Sequence, residues 1–201
     1  ERVLYSSSLR EVMNSVKNGE NLVSFEKPGP KELIYFEPAK TKVAIVTCGG
    51  LCPGLNNVIR GLVTHLYNRY GVTNIVGVQY GYAGLNPDLQ IPFIDLNPDL
   101  VDDIHKDGGS MLASSRGQQP YEIIVDTLER NNINILFCVG GDGTLKGAHG
   151  IYKEIEKRGL KIAVAGVPKT IDNDINLIEK SFGFESAFTA AQSIILNAHY
   201  E

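Results

Sequence analysis

Ile133-Asn-Ile-Leu-Phe-Cys138 leads directly into Val139-Gly-Gly-Asp-Gly-Thr144, and an amphipathic segment reaching about Lys157 follows. An apolar β-branched run, a tight glycine turn and then one apolar helical face are the grammar of strand, turn and helix. Glycines at 140, 141 and 143 let the backbone bend sharply and leave its N–H groups uncovered. A helix start just behind them adds partial positive charge, so a phosphate is the natural guest. Asp142 is odd in such a place, because a carboxylate repels a phosphate. A magnesium ion between the two removes the conflict, since hard cations take carboxylate and phosphate oxygens together. Asp142 is therefore read as a ligand of a metal–nucleotide complex. The alternative is a plain strand-to-helix turn in which Asp142 caps the helix.

Similar units lie on both sides. Lys42-Val-Ala-Ile-Val-Thr47 predicts a buried strand, and Cys48-Gly-Gly-Leu-Cys-Pro-Gly-Leu-Asn56 a second glycine turn. Pro53 suits a helix's first turn, and apolar positions from Leu55 to Leu66 recur with the period of one buried face. Asn74 to Gln79 reads as the next strand, ending in the glycine- and aromatic-rich turn Tyr80-Gly-Tyr-Ala-Gly-Leu85. Residues 86–109 are proline-rich and read as irregular, apart from a helical turn around Asp99 to His105. Ser110 to Ser115 predicts a short strand running into Arg116-Gly117, and Pro120 opens a helix to about Asn131. Lys161 to Val167 predicts another strand, followed by Pro168-Lys-Thr-Ile-Asp-Asn-Asp174 and a last helix over Glu185 to Asn197.

Residues 1–40 differ in character: a helix over Leu9 to Val16 capped from Ser6-Ser-Ser8, a loop at Lys27-Pro-Gly-Pro30 and a short strand at Leu33-Ile-Tyr-Phe36. They read as a small N-terminal extension preceding a main domain over 41–201. Strands alternating with helices predict an α/β fold, a Rossmann-like parallel sheet with helices on both faces. Ligands of such sheets bind beyond the carboxyl ends of the strands. The loops near 49, 116, 142 and 170 all follow predicted strands, so they are expected to converge on one edge.

At 201 residues the chain can build one good core, and 43% hydrophobic residues with 21 glycines is ordinary for an α/β protein. A formal net charge of −4 argues against nucleic acid or an anionic membrane as partner. No apolar run is long enough to span a bilayer. The first residues carry no basic-then-apolar leader, so a cytoplasmic location is expected, with an organelle such as a glycosome the alternative if a targeting signal lies upstream. Cys48, Cys52 and Cys138 lack zinc spacing and read as reduced, buried thiols.

The loops carry the chemistry. Gly49 and Gly50 offer N–H groups to a phosphate. Arg116 beside Gly117 supplies a positive fork suited to a phosphoryl group changing hands, or else a solvated surface charge. Lys146, one turn into the helix, can reach the same anion or point to water. In the last loop Asp172 is the candidate base for an acceptor hydroxyl, Thr170 orients it, Asp174 supports it from behind and Lys169 neutralises phosphate. The plainer reading of that loop is an Asx-rich turn. No Gly-x-x-x-x-Gly-Lys-Ser/Thr occurs, and Gly-x-Gly-x-x-x-Gly is not the dinucleotide fingerprint.

From about residue 41 to 201 the chain resembles the N-terminal half of a 6-phosphofructokinase. The likeness rests on Gly49-Gly50 with Pro53-Gly-Leu-Asn56, on Ser115-Arg-Gly117, on Gly140-Gly-Asp-Gly-Thr144 and above all on Pro168-Lys-Thr-Ile-Asp-Asn-Asp174. It implies transfer of the γ-phosphoryl of Mg·ATP to the 1-hydroxyl of fructose 6-phosphate, with Mg2+ and ATP as the cofactors. By the family pattern Asp172 is the base and Asp142 holds magnesium. Gly49, Arg116, Gly117 and Gly141, Asp142, Gly143 and Thr144 bind nucleotide, Tyr80 lies near it, and Thr170, Ile171 and Asp172 meet the sugar. Pyrophosphate-using relatives commonly carry Asp at the position of Gly143, where it crowds the α-phosphate of ATP, so Gly143 implies ATP. Lys169 is the pyrophosphate-type residue. The two together resemble the ATP-dependent subgroup built on the pyrophosphate-type sequence, whose N-terminal extensions residues 1–40 resemble. A pyrophosphate-dependent enzyme or a non-catalytic nucleotide-binding module are the competing readings. The family's second lobe, with its sugar-phosphate grip, has no counterpart here, so 1–201 is expected to be part of a longer enzyme and inactive alone. A homo-oligomer, dimer or tetramer, is a further implication.

Overall fold

The structure is a computed structural model and describes residues 2–27, 29 and 31–200. The chain divides into two compact units, Glu1–Tyr35 and Phe36–Glu201.

In the first unit, β1 (Arg2–Leu4) pairs antiparallel with β2 (Ser24–Glu26), and α1 (Leu9–Lys17) lies between them in sequence. Ser8 caps α1, its side chain accepting from the Glu11 N–H at 3.4 Å, while the Ser6 hydroxyl donates to the Glu11 carboxylate at 2.6 Å. The expected strand at Leu33 to Phe36 is a series of bends instead. Three-residue strands form elsewhere in the unit, where each finds a partner to share its ladder. Pro28 and Pro30 of the expected loop lie outside the described residues.

The second unit is a five-stranded sheet, β3 (Lys42–Thr47), β4 (Asn74–Val78), β5 (Ile94–Leu96), β6 (Ile135–Gly140) and β7 (Ala163–Pro168), in the order β5-β4-β3-β6-β7. Its helices are α2 (Leu55–Tyr70), α3 (Pro98–Val101), α4 (Tyr121–Arg130), α5 (Asp142–Arg158) and α6 (Phe184–Tyr200). β3, β4, β6 and β7 are parallel, and β5 is antiparallel to β4, so the sheet is mixed rather than wholly parallel. β5 was not expected, because three residues in a proline-rich segment show no periodicity.

The core follows from the alternation of β3. Ala44 and Val46 point to one face and join Leu136, Cys138, Ile124 of α4 and Ile151 of α5. Val43 and Ile45 point to the other and join Ile59 and Val63 of α2. Each Val, Leu or Ile among them contributes roughly 1.5–3 kcal/mol on burial. α6 has no buried residue, and Phe188, Ile194 and Ile195 are each about two-thirds exposed.

The stretch from Ser110 to Ser115, expected as a strand, has no ladder. Ala113 stands at φ 55, and single hydrogen bonds from distant residues hold the segment instead. Thr47 Oγ1 bonds the Ala113 carbonyl at 2.8 Å, Asn56 Oδ1 accepts from the Met111 N–H at 2.8 Å, and Tyr80 N–H donates to the Leu112 carbonyl at 2.9 Å. A left-handed residue stops a strand. Leu112, fully buried, is what makes the segment look strand-like in sequence.

Candidate active site

The strand order reverses between β3, whose chain continues to β4 on one side, and β6 on the other. Loops leaving two neighbouring parallel strands in opposite directions open a crevice at their carboxyl ends. The first wall is the 48–54 turn. Gly49, at φ 81, lies where an L side chain is strained. Its N–H donates to the Ser115 carbonyl at 3.0 Å and so, contrary to expectation, is not free for a phosphate, and Ser114 Oγ donates to the Gly49 carbonyl at 2.6 Å. The 110–117 segment is thereby fastened to this turn although it does not follow a strand, so the expected convergence holds at residue 116 by a different route.

The second wall is the start of α5. Gly141 is the N-cap residue, and Asp142 is already the first helical residue, so Asp142 does not cap. The first N–H groups of any helix have no intrahelical partner, and Gly141, Gly143 and Thr144 at this helix start are among the crevice's lining. A Cβ on Gly140 would come closer than 3.0 Å to Thr144, and that contact requires glycine. Gly143 is the opposite case, with nothing within 4 Å of the same position.

The cleft enclosed is about 250 Å3. Gly49, Gly50, Arg116, Gly117 and Lys169 line it along with the helix start. Lys169 is buried, with its ammonium donating to the Gly50 carbonyl, and Arg116 Nη2 is 3.8 Å from where a Gly50 Cβ would stand. Burial pulls the Lys169 pKa down, and Arg116 adds to the effect, while Cys52, Cys48 and Asp172 oppose it. Two cations and the start of a helix in one crevice have the chemistry that suits an anion.

The lining also includes the rings of Tyr82 and Tyr121 and the aliphatic Ile124, together with the amides of Gln118 and Gln119. Tyr82 rests on Gly147, where a Cβ would lie 2.7 Å from Cε2, and its hydroxyl donates to the Thr144 carbonyl at 2.8 Å. Burial pushes its pKa far up, so the phenol stays a donor. Tyr80 does not line the cleft. Tyr82 was not anticipated, though the aromatic turn that carries both was singled out, and Gln118 and Gln119 gave no signal in sequence. Cys48 also lines the cleft, with its thiol pushed by burial up to about 11; all three cysteines are free and buried.

The remaining expected residues stand beside the cleft rather than in it. Asp142 and Lys146 form an exposed ion pair at 2.7 Å, which leaves both turned toward solvent. Among the described residues no group of three His, Cys, Asp or Glu could hold a metal ion. Asp142 therefore fits magnesium only as one carboxylate sharing the ion with phosphate oxygens and water, the usual arrangement for magnesium on nucleotides. Thr170 is buried, and its hydroxyl donates to Asp174 at 2.6 Å and accepts from the Asp172 N–H at 3.2 Å. Ile171 and Asp172 are exposed. Lys169 joins the two regions, since it lines the cleft and feels the charge of Asp172. No described helix is long and apolar enough to cross a membrane.

Known proteins resemble this chain over most of its length. The phosphofructokinase family model matches residues 42–201. A protein of Borreliella burgdorferi named ATP-dependent 6-phosphofructokinase is 59% identical over 180 residues, covering 89% of this chain and 40% of the relative. One of the same name from Entamoeba histolytica is 55% identical over 176 residues, covering 88% and 40%. The chain thus spans about two-fifths of the length of these relatives. Among solved structures, a pyrophosphate-dependent phosphofructokinase from Marinobacter aquaeolei superposes with a TM-score of 0.66 at 21% identity, over 72% of this chain and 37% of that one, a likeness of fold alone. With a family match over nearly all of its second unit, the chain belongs to the phosphofructokinase family.

Proposed function

We propose that this chain is the nucleotide-binding part of an ATP-dependent 6-phosphofructokinase, with the sugar-phosphate lobe supplied by further chain. The observation that carries the reading is Lys169, which lines the anion cleft while the next residues carry Asp172 on an exposed loop. Donor and acceptor sites thereby share a border, as phosphoryl transfer requires. The cleft holds the triphosphate against Gly49, Gly50, Arg116 and the α5 start, with the base beside Tyr82. Asp142 would hold magnesium, which would supply neutralisation of phosphate charge. Asp172 takes the proton from the 1-hydroxyl of fructose 6-phosphate as that oxygen bonds to the γ-phosphorus and the bond to ADP breaks. The products are fructose 1,6-bisphosphate and ADP.

The open space at Gly143 supports ATP over pyrophosphate, as do the names of the relatives at 59% and 55% identity. Lys169, the pyrophosphate-type residue, favours the second reading, which a side-by-side comparison of the two donors decides. A homo-oligomer in the cytoplasm completes the proposal. Asp172→Asn, made in the protein as its source produces it, should lower kcat by roughly 10²–10⁴ and leave Mg·ATP affinity intact. Unchanged turnover would remove Asp172 from catalysis, and absence of turnover in the parent protein would leave a nucleotide-binding module.

A further inference from the structure

Between β7 and α6 the chain runs from Lys169 to Gly183 without a ladder or a helix, yet it carries the acceptor base. We propose that Asn173 is a positioning residue that fixes Asp172 by clasping the two limbs of this loop. The inference rests on the role given to Asp172 above.

Asn173 stands at φ 55, a left-handed conformation that asparagine tolerates better than most residues. Both ends of its amide are engaged across the loop. Nδ2 donates to the Glu179 carbonyl at 3.0 Å, and Oδ1 accepts from the Ser181 N–H at 2.8 Å. A second tie runs alongside, with buried Ser181 donating through Oγ to the Thr170 carbonyl at 2.6 Å. Residues 170 and 173 of the outgoing limb are thus tied to 179 and 181 of the returning one. The returning limb is itself seated on the first wall of the cleft. Cys52 Sγ donates to the Phe182 carbonyl at 3.1 Å, and a Cβ at Gly183 would come closer than 3.0 Å to Cys52 and Pro53.

Asp172 sits inside this frame, between two clasped residues, and its N–H is held by Thr170 Oγ1. A carboxylate on an exposed loop samples many positions unless its backbone is fixed. The clasp does that and references the carboxylate to the turn that carries Gly49 and Gly50. A displacement of about 1 Å at a reacting group can cost roughly 10²-fold in rate.

Two substitutions separate positioning from mere folding. Asn173→Gly keeps the left-handed backbone and deletes the clasp. Asn173→Asp keeps the acceptor for the Ser181 N–H and loses the donor to Glu179. In the protein as its source makes it, kcat should fall roughly 10- to 100-fold for the glycine variant and less for the aspartate. The Kd for Mg·ATP should stay within about twofold of the parent in both. Should Asn173→Gly not fold, Ser181→Ala, which removes only the hydroxyl on Thr170, carries the same expectation. Wild-type kcat in a folded clasp variant overturns the proposal, and so does a parallel loss of kcat and ATP affinity, which marks a general collapse. Asp172→Asn in the same experiment tells the two failures apart. If it retains turnover, the role of Asp172 is wrong; if it is inactive beside a fully active Asn173→Gly, only the clasp is wrong.

Discussion

Replacing Gly143 by aspartate should move stability and nucleotide affinity in opposite directions. Gly143 is the second residue of α5, it has ordinary φ, and nothing lies within 4 Å of the Cβ it lacks. A side chain therefore enters without a clash. Aspartate in the first turn gains a few tenths of a kcal/mol over glycine in helix propensity. It gains roughly 0.3–1 kcal/mol more from the helix dipole. Repulsion from Asp142 takes back a few tenths, so the free protein should melt unchanged or up to about 3 °C higher. For a phosphate taken to stand about 5 Å from the new carboxylate, an effective dielectric of about 20 gives a repulsion of about 3 kcal/mol per unit charge. Solvent screening in an open cleft reduces it to roughly 1–2 kcal/mol, or 5- to 30-fold in Kd. Calorimetric titration with Mg·ATP and with pyrophosphate, beside a thermal melt, reads all of this at once. The larger loss should fall on ATP, whose α-phosphate the added carboxylate is expected to crowd. An ATP Kd within twofold of the parent would falsify the steric and electrostatic reading of Gly143, and a melt lowered by several degrees would show that the position is not open.

Gly147→Ala should lower stability, because its Cβ would stand 2.7 Å from Tyr82 Cε2. Tyr82 must shift and strain its bond to the Thr144 carbonyl, costing roughly 1–3 kcal/mol; a melt within 1 °C of the parent would contradict this. Lys169 predicts a pH dependence. Its pKa in the free protein lies below 10.5, and a bound phosphate favours the charged form. ATP affinity should therefore fall as pH rises through that lowered pKa, and binding in the same window should take up protons. Titrations in buffers of different ionisation enthalpy measure the uptake; its absence above neutral pH would place the ammonium away from the phosphates. The sign for folding is opposite. Below 10.5 and above the lowered value the unfolded chain holds more protons at this residue, so its contribution to stability rises with pH there.

Much of the fold is legible in the chain because β3, β6 and their following turns are dense signals: continuous apolar runs ended by glycines. β5 and the 110–115 segment were misread for one physical reason. Their backbone groups are satisfied by partners far away in sequence, Val76 and Gly77 for the strand and Asn56 and Thr47 for the segment. No local pattern encodes such a partner. The site divides the same way. Gly49, Arg116, Gly143 and Lys169 announce themselves by residue type and loop position. Tyr82 looks like core until Gly147 is seen to receive its ring, and Asn173 looks like any turn asparagine until Glu179 and Ser181 fold back onto it.

The placement of β6 beside β3 has a kinetic consequence. Val43 lies opposite Ile135, and the Lys42 N–H donates to Asn134 Oδ1 across a separation of 92 residues. β4, β5 and α2 form a locally connected half that can assemble early, while the β3–β6 seam must close a long loop first. A nascent chain that has emerged only to residue 130 already carries Gly49 and Arg116, yet it has no cleft. A nucleotide bound as proposed would reward only the state in which the seam has zipped and Lys169 has arrived behind it. ATP should then act on folding as a late selector, slowing the opening of the seam while leaving the early collapse of the other half at its own pace.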